Sequence, residues 1–230
     1  MYFRGRVVMK NKFILFIFIF TAIRLQANLK IVTNIKEYLQ LPQEKQLVDI
    51  AKVNPNILLA LRYYTDNNFV EQQVYKKNMA LARFSTAKKL DKAQKELEKM
   101  GLGLKIWDPY RPYRYQQVLY DKTKPDQKIY CANPKNGSSH NRGAAIDLTI
   151  VDKQGNEIEM PTEFDHFGKE SHLNYMNLPP QKIINRTFLV NFMEKHGFTT
   201  FPNEWWHFND KNYKSYDLLD LDFDKLEKYI

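Results

Sequence analysis

The sequence contains a single cysteine, Cys131, among its 230 residues. One cysteine excludes an intramolecular disulfide, so the fold must depend on a hydrophobic core, or on a core together with a bound metal ion. There are only eight glycines and no low-complexity run, which gives no indication of a flexible linker between domains. We therefore expect a single domain, in which Cys131 is a small buried side chain and not a reactive thiol.

Positive charge is only in small excess over negative charge once residues 1–27 are set aside. The formal net charge is +9, but residues 1–27 contain five Lys or Arg residues and no acidic residue. The remaining chain has 30 basic and 26 acidic residues, a net of +4. These charges are mixed along the sequence, so they predict a solvated surface and no nucleic-acid partner.

A long hydrophobic run is also lacking. The apolar run at 13–23 has 11 residues, about 16 Å as a helix, against about 30 Å of hydrocarbon in a bilayer. It follows basic residues within 4–12 and precedes a site suited to cleavage after Ala27, which is the order of a secretory signal. We expect export to the periplasm without membrane insertion after cleavage. An uncleaved anchor, and a start at Met9 instead of Met1, are the alternatives.

Apolar residues at steps of three and four predict two helices, each followed directly by a glycine suited to a helix C-terminus. They cover 83–100 and 181–196. The second helix is expected to direct Ile184, Phe188 and Phe192 towards the core.

Shorter segments predict the remaining elements. Strands are expected at 102–107, 144–151, 198–201 and 205–208, a helix at 113–121, and a hairpin turn at 152–155 leading into 157–160. The segments at 47–50 and 57–64 are strands or helix turns, because periodicity does not separate the two. Helices flanking a small, mainly antiparallel sheet make a single α+β domain over 28–230.

Two separated motifs carry residues suited to a divalent metal ion. Residues 138–147 read SSHNRGAAID, with His140 and Asp147 seven residues apart, and residues 204–207 read EWWH. Two histidines and an aspartate fill three positions of a tetrahedral zinc site and leave the fourth for water, while a spare glutamate handles protons. In a strand, residues seven apart point to opposite faces. We therefore expect His140 in a loop before the strand of Asp147, with the bend at Gly143.

The second motif has the same kind of odd spacing, between Glu204 and His207. Pro202 and Asn203 precede it, and we expect the strand to begin after Glu204, so that a loop residue and a strand residue again converge. The other three histidines are assigned no metal and are expected at the surface or in local hydrogen bonds: His166, His172 and His196.

These motifs resemble those of the zinc D-Ala-D-Ala metallopeptidases. Residues 138–147 are similar to their S-x-H-x-x-G-x-A-x-D pattern, and residues 204–207 to their E-x-W-H. The greatest similarity is to the VanX-type D-alanyl-D-alanine dipeptidases, whose D-x-Y-R-P and R-Y-x-T-x-N-F segments resemble residues 108–112 and 62–69.

The resemblance extends from about residue 50 to 210 in the same order. Residues 164–165 and 170–172 also resemble a stretch of that group. The chain departs from the family pattern at Pro109, where the family often has glycine, and in a Lys- and Asn-rich loop at 123–137.

The resemblance implies a dipeptidase that binds one zinc ion per chain through His140, Asp147 and His207. It implies further that Glu204 takes a proton from the attacking water and delivers it to the leaving amine, and that Arg111 stabilises the oxyanion. The expected substrate is the dipeptide D-Ala-D-Ala, in the turnover of cell-wall peptides.

A dipeptidase also has to recognise a free ammonium and a free carboxylate. The resemblance makes Asp165 the candidate for the ammonium, with a helix-capping or loop aspartate as the alternative. Ser139 is the candidate at the carboxylate end. Tyr63 either lines the pocket or is an aromatic residue of a buried strand.

Two other functions are compatible with the same motifs. A zinc D,D- or L,D-carboxypeptidase or endopeptidase would act on peptidoglycan stem peptides and would need an open groove in place of a small closed pocket. A zinc-binding module without catalysis, like the Hedgehog-type signalling domains, would not need Glu204 and Arg111. The sequence gives no information on the oligomeric state.

Overall fold

The computed structural model describes residues 29–230, so the predicted signal segment at 1–27 lies outside the described part of the chain. Over that range the strands are β1 (Ile31–Val32), β2 (Leu47–Asp49), β3 (Leu58–Leu59), β4 (Leu81–Arg83), β5 (Leu102–Asp108), β6 (Ala145–Asp152), β7 (Phe198–Phe201), β8 (Glu204–Asp210) and β9 (Leu218–Leu219). The helices are α1 (Ile35–Leu39), α2 (Ile50–Val53), α3 (Phe84–Lys99), α4 (Tyr113–Lys122), α5 (Pro180–Lys195) and α6 (Phe223–Leu226). Within residues 29–230, no helix has the length and apolar composition needed to cross a membrane.

A five-stranded sheet in the order β3-β5-β6-β8-β7 forms the centre of the fold. β3 runs parallel to β5, and the other neighbouring pairs are antiparallel. Two small sheets stand beside it, β1 with β9 in parallel and β2 with β4 antiparallel. The prediction of an α+β domain with a small, mainly antiparallel sheet and flanking helices is confirmed.

The central strand β6 separates the core from the other face of the sheet. Ile146 and Leu148 are fully buried and belong to the main hydrophobic cluster, which also receives Leu90 of α3 and Leu189 of α5. Because side chains alternate along a strand, Asp147 points to the opposite face. The sheet thus has α3 and α5 packed on one face and a carboxylate on the other.

Helix α3 is fixed to the sheet by a polar contact as well as by apolar packing. The side chain of Gln94 is buried, and its Oε1 accepts a hydrogen bond from the backbone N–H of Leu104 in β5 at 2.8 Å. Burial of a leucine such as Leu97 contributes about 1.5–3 kcal/mol to the free energy of unfolding. The hydrogen bond of Gln94 satisfies a side-chain amide that would otherwise be buried without a partner.

Three expectations about the elements change. Ile184 of α5 is 59% exposed, because the buried side of that helix runs through Leu189, Phe192 and Met193. The segment at 157–160 adds no strand after the turn and makes a single bridge, Val151 with Glu157. The two ambiguous segments are each divided: 47–50 gives β2 and the start of α2, and 57–64 gives β3 and a 3-10 turn.

Gly143 ends the turn that precedes β6. Residues His140–Arg142 form a 3-10 turn, and Gly143 follows with φ 66°, in the left-handed region. A Cβ atom at this position would lie 2.5 Å from Cδ2 of Leu47. The Gly143 carbonyl accepts a hydrogen bond from the backbone N–H of Arg83 at 2.8 Å, so the turn is held against β4. Only glycine satisfies both constraints.

We expect Gly143→Ala to lower the free energy of unfolding by about 1–3 kcal/mol, because a residue with a Cβ is strained there and must also displace Leu47. Urea denaturation measures the loss. Gly155→Ala is the matched control, since Gly155 also has positive φ, 83°, but its Cβ would meet only Leu58, at 3.3 Å. An equal loss in both variants would contradict the importance of the Leu47 contact.

Candidate active site

Three side chains from two strands and one turn converge on the face of the sheet opposite α3 and α5. His140 lies in the 3-10 turn before β6, as predicted, Asp147 lies in β6, and His207 lies in β8 directly across from Asp147. Nε2 of His140 is 3.1 Å from Nδ1 of His207 and 3.4 Å from Oδ2 of Asp147. Nδ1 of His207 is 3.0 Å from Oδ1 of Asp147.

These distances suit a tetrahedral zinc ion. Ligand atoms that each lie about 2.0–2.1 Å from zinc at tetrahedral angles are separated by about 3.3 Å. Among the described residues, this trio is the only group of three His, Cys, Asp or Glu side chains whose ligand atoms lie within 4.8 Å of one another. All three side chains are buried. Two imidazoles and one carboxylate are therefore arranged to hold a metal ion.

Hydrogen bonds on the far side of each ring set the tautomers of the two histidines. Nδ1 of His140 lies 2.8 Å from the carbonyl oxygen of Pro109, which only accepts, so Nδ1 carries the proton. Nε2 of His207 lies 3.0 Å from Oδ1 of Asn209 and donates to it. The lone pairs of His140 Nε2 and His207 Nδ1 are thereby left for a metal ion.

The carboxyl of Asp147 carries the negative charge of the trio. Burial by itself would raise the pKa of Asp147, but the neighbouring imidazoles of His140 and His207 outweigh burial and hold that pKa below its usual range. The group is therefore an anionic ligand at neutral pH.

Glu204 lies beside the trio, but not in the element we expected. It is the first residue of β8, so the prediction that the strand begins after Glu204 is wrong. The pairing of β7 with β8 shifts between Thr200 and Phe201, and this irregularity, instead of a loop, turns the Glu204 side chain towards the site. Its Oε2 lies 3.8 Å from Nδ1 of His207.

The electrostatic surroundings of Glu204 favour its protonated form. Burial, and then the negative charges of Asp147 and Asp165, raise its pKa well above the ordinary value, while Arg111 acts in the opposite direction. A carboxyl with a raised pKa is suited to accept a proton and return it.

Arg111 lies in the turn between β5 and α4, where the sequence placed it. Its guanidinium is buried and paired with Asp108, whose Oδ2 accepts from Nε at 3.2 Å and from Nη2 at 2.5 Å. The guanidinium carbon also lies 5.3 Å from the centre of the Tyr63 ring. Burial alone would lower the pKa of Arg111, but Asp108 and the other acidic groups around the guanidinium together outweigh burial and raise that pKa, so the side chain is a buried cation.

Tyr63 and Asp165 are joined by a hydrogen bond, in which the Tyr63 hydroxyl donates to Oδ2 of Asp165 at 3.0 Å. Asp165 has φ 60°, in the left-handed region that few residues with a Cβ adopt. Burial, followed by the charge of Asp147, raises the pKa of Asp165 well above its ordinary value. Tyr63 is buried and lines the cavity, but it lies in the 3-10 turn Arg62–Tyr64, so the alternative of an aromatic residue in a buried strand is wrong.

All eight predicted site residues line one cavity of about 310 Å³: Tyr63, Arg111, Ser139, His140, Asp147, Asp165, Glu204 and His207. Ser139 Oγ lies 3.5 Å from Nε2 of His207. The remaining histidines make local contacts, His166 with Glu170, His172 with Tyr130 and His196 with Glu96. Cys131 is buried at the cavity wall, and burial raises the pKa of its thiol.

Two features of the cavity were missed in the sequence. Asn209 stands two residues after His207 and so on the same face of the strand, a spacing that would have identified it. An aromatic wall was not foreseeable: Tyr130 stacks on Phe167 with ring centres 5.3 Å apart, and it comes from the loop at 123–137. The hydroxyl of Tyr130 also bonds to Nε2 of His172 at 2.7 Å.

Comparison with known proteins agrees with this geometry. The family model of the D-Ala-D-Ala dipeptidases matches residues 43–225. This chain belongs to that family. It is accordingly a zinc metallopeptidase, and the predicted resemblance and enzyme class are confirmed.

Individual relatives agree with the family assignment. A D-alanyl-D-alanine dipeptidase of Escherichia coli is 34% identical over 76% of this chain and 89% of its own length. One from Enterococcus faecium is 31% identical over 64% of this chain and 82% of its own length. Among solved structures, the LdcB LD-carboxypeptidase is 18% identical with a TM-score of 0.41, covering 76% of this chain and 72% of that chain.

We expect Asn209→Ala to weaken zinc binding about 10- to 100-fold, because the His207 ring loses the acceptor that sets its tautomer and orientation. Competition with a chromogenic chelator measures the affinity. Asn212→Ala is the matched control, since Asn212 is exposed and follows the same strand. Equal zinc affinities in the two variants would show that the Asn209 contact does not matter for metal binding.

Proposed function

We propose that this protein is an exported dipeptidase that hydrolyses D-Ala-D-Ala with one zinc ion per chain, in the turnover of cell-wall peptides. The observation that carries the proposal is the convergence of the His140, Asp147 and His207 trio with Glu204 and Arg111 in one cavity. Relatives named D-alanyl-D-alanine dipeptidase support the choice of substrate. Export is proposed from the sequence of residues 1–27 alone.

His140, Asp147 and His207 hold the metal in this proposal. When bound there, zinc supplies Lewis acidity to the peptide carbonyl and to the attacking water. The protein supplies the orientation of the ligands, through Pro109 and Asn209, and buried ligand side chains, between which electrostatic interactions are strong.

Glu204 carries the proton. Its carboxylate accepts the proton of the water that attacks the peptide carbon, and its carboxylic acid then donates that proton to the nitrogen of the leaving D-alanine. Bringing a positive metal ion close to Glu204 lowers its pKa from the raised value of the buried group, so that the carboxylate is available at neutral pH.

Arg111 stabilises the oxyanion that develops on the carbonyl oxygen. Its positive charge is buried and held by hydrogen bonds to Asp108 and Gln116 before the substrate arrives, so little reorganisation is needed as the negative charge appears. Removing one such donor costs about 10²–10³ in kcat in other hydrolases.

The free ends of the dipeptide are bound on either side of the metal. Asp165, oriented by the Tyr63 hydroxyl, pairs with the ammonium, and this cation converts a carboxyl of raised pKa into a carboxylate. Ser139 binds at the carboxylate end. The wall of Tyr130 and Phe167 limits the cavity, which favours a free dipeptide over a peptidoglycan stem peptide for this family member.

We expect the zinc-loaded protein to hydrolyse D-Ala-D-Ala and to leave N-acetyl-D-Ala-D-Ala essentially intact, because acetylation removes the ammonium that Asp165 binds. Release of D-alanine from each substrate is measured with and without a chelator. Preference for the acetylated peptide would favour a carboxypeptidase, and activity that resists the chelator would contradict the metal mechanism.

Glu204→Ala should retain zinc and lose at least about 10²-fold in kcat, since general acid–base catalysis contributes about 10²–10⁴-fold. Zinc content by atomic absorption and the steady-state rate are measured on the same preparation. Glu159→Ala, an exposed carboxylate paired with Lys182, is the control. A wild-type rate in Glu204→Ala would remove Glu204 from the mechanism.

A further inference from the structure

The guanidinium of Arg111 makes a limited number of hydrogen bonds within the protein. An arginine offers five N–H donors. Asp108 accepts two of them, from Nε and Nη2, and Gln116 accepts one from Nη1, at 2.8 Å. The hydroxyl of Tyr75 also lies against the guanidinium. In the described part of the chain at least one donor on a terminal nitrogen is therefore left without a protein acceptor, and Arg111 lines the cavity. An N–H donor of this kind is what a developing oxyanion requires.

Asp108 by itself does not fix the guanidinium plane. Both of its bonds to Arg111 end on the same oxygen, Oδ2, while Oδ1 accepts from the hydroxyl of Tyr75 at 3.0 Å. Two bonds that share one acceptor atom allow the guanidinium to pivot about that atom. A contact at Nη1, on the other side of the group, removes this freedom.

Gln116 provides that contact, and its own orientation is fixed. The side chain is fully buried in α4. Its Nε2 donates to the carbonyl oxygen of Ala132 at 2.8 Å and approaches Sγ of Cys131 at 3.4 Å. Because the Ala132 carbonyl only accepts, the amide nitrogen must face the cavity wall, and Oε1 must face Arg111.

We propose that Gln116 is a positioning residue for catalysis, which holds the Arg111 guanidinium in the plane that directs its remaining N–H donor at the developing oxyanion. This inference rests on the proposed function of Arg111. Gln116 touches neither the metal ligands nor the substrate, and it acts by joining Arg111 to residues 131–132 of the cavity wall.

The consequence is specific to the transition state. Without Gln116 the cation is still present beside Asp108, so ground-state binding and zinc affinity change little. The stabilisation of the oxyanion is weakened, because a displacement of about 1 Å can cost about 10²-fold. An interaction made only in the transition state affects kcat and leaves KM nearly unchanged.

The test uses Gln116→Met, which keeps the length of the side chain and removes both hydrogen-bonding groups. We expect kcat for D-Ala-D-Ala to fall about 10- to 100-fold, with KM within about twofold and an unchanged zinc content. Gln117→Met is the matched control, the same substitution at the next, exposed position of α4, and should match the wild type. Equal kcat in the two variants would overturn the proposal.

A double-mutant cycle separates positioning from general support of the fold. In an Arg111→Met background, Gln116→Met should cause no further loss of kcat, because the group it positions is absent. The same fold-loss in both backgrounds would overturn the proposal in favour of a structural role. Gln116→Glu keeps an accepting oxygen beside Nη1 and should retain more kcat than Gln116→Met; an equal loss would overturn the acceptor role.

Different results would contradict the proposed function and the role of Gln116. If the wild-type protein does not hydrolyse D-Ala-D-Ala, the proposed function fails. If the wild-type protein is active and Gln116→Met has wild-type kcat, only the role of Gln116 fails.

Discussion

The site depends on three hydrogen bonds that fasten the turn after β5 to the turn before β6. The Pro109 carbonyl accepts from Nδ1 of His140 at 2.8 Å, and the Arg111 backbone N–H donates to the His140 carbonyl at 3.2 Å. Nδ2 of Asn141 donates to the Arg111 carbonyl at 2.9 Å. The turn that carries a metal ligand and the turn that carries the cation are therefore one rigid unit. With a single cysteine, the chain obtains this rigidity from buried polar bonds instead of a disulfide, and such bonds are strong because they are shielded from water.

The same region concentrates buried negative charge. The charge of Asp147 raises the pKa values of Asp165 and Glu204, and Asp165 further raises that of Glu204, while Arg111 and Asp108 neutralise each other. Uncompensated buried carboxylates are costly, so the cavity is complementary to added positive charge. In the proposed function, a divalent metal ion and a substrate ammonium would supply this charge at two different points. The proposed binding of metal and of substrate therefore depends on one electrostatic arrangement, in which a charge bound at one point would alter the protonation of the other.

The parts of this arrangement that follow from local sequence could be predicted. The seven-residue spacing from His140 to Asp147 requires one residue outside the strand, and the structure places His140 there. The position of Glu204 depends on a shift in the pairing of β7 with β8, and pairing register is a tertiary property with no local signal. Ile184 was misassigned because two turns of α5 offer nearly equivalent apolar faces, and docking against the sheet selects between them. The contacts of Gln116 with Arg111 and Ala132 depend on how α4 packs against the loop at 123–137. That packing has no signal in the local sequence, so these contacts could not be predicted.

Chemistry and substrate size are encoded in different segments. The proposed metal ligands, the proposed acid–base residue and the cation come from β6, β8 and the two fastened turns, whereas the cavity wall comes from the loop at 123–137 and from Phe167. That loop is also one of the two places where the sequence departs from the family pattern. It adds Tyr130 to the wall and, through Ala132, contacts the amide of Gln116. We therefore expect a change in this loop to alter the size of the substrates that fit, without changing the metal ligands. A displacement of Ala132 would in addition move Gln116 and, through it, the Arg111 guanidinium. The Ala132 carbonyl thus links the cavity wall to Arg111 through Gln116. This link restricts which backbone conformations the loop can adopt without displacing Arg111.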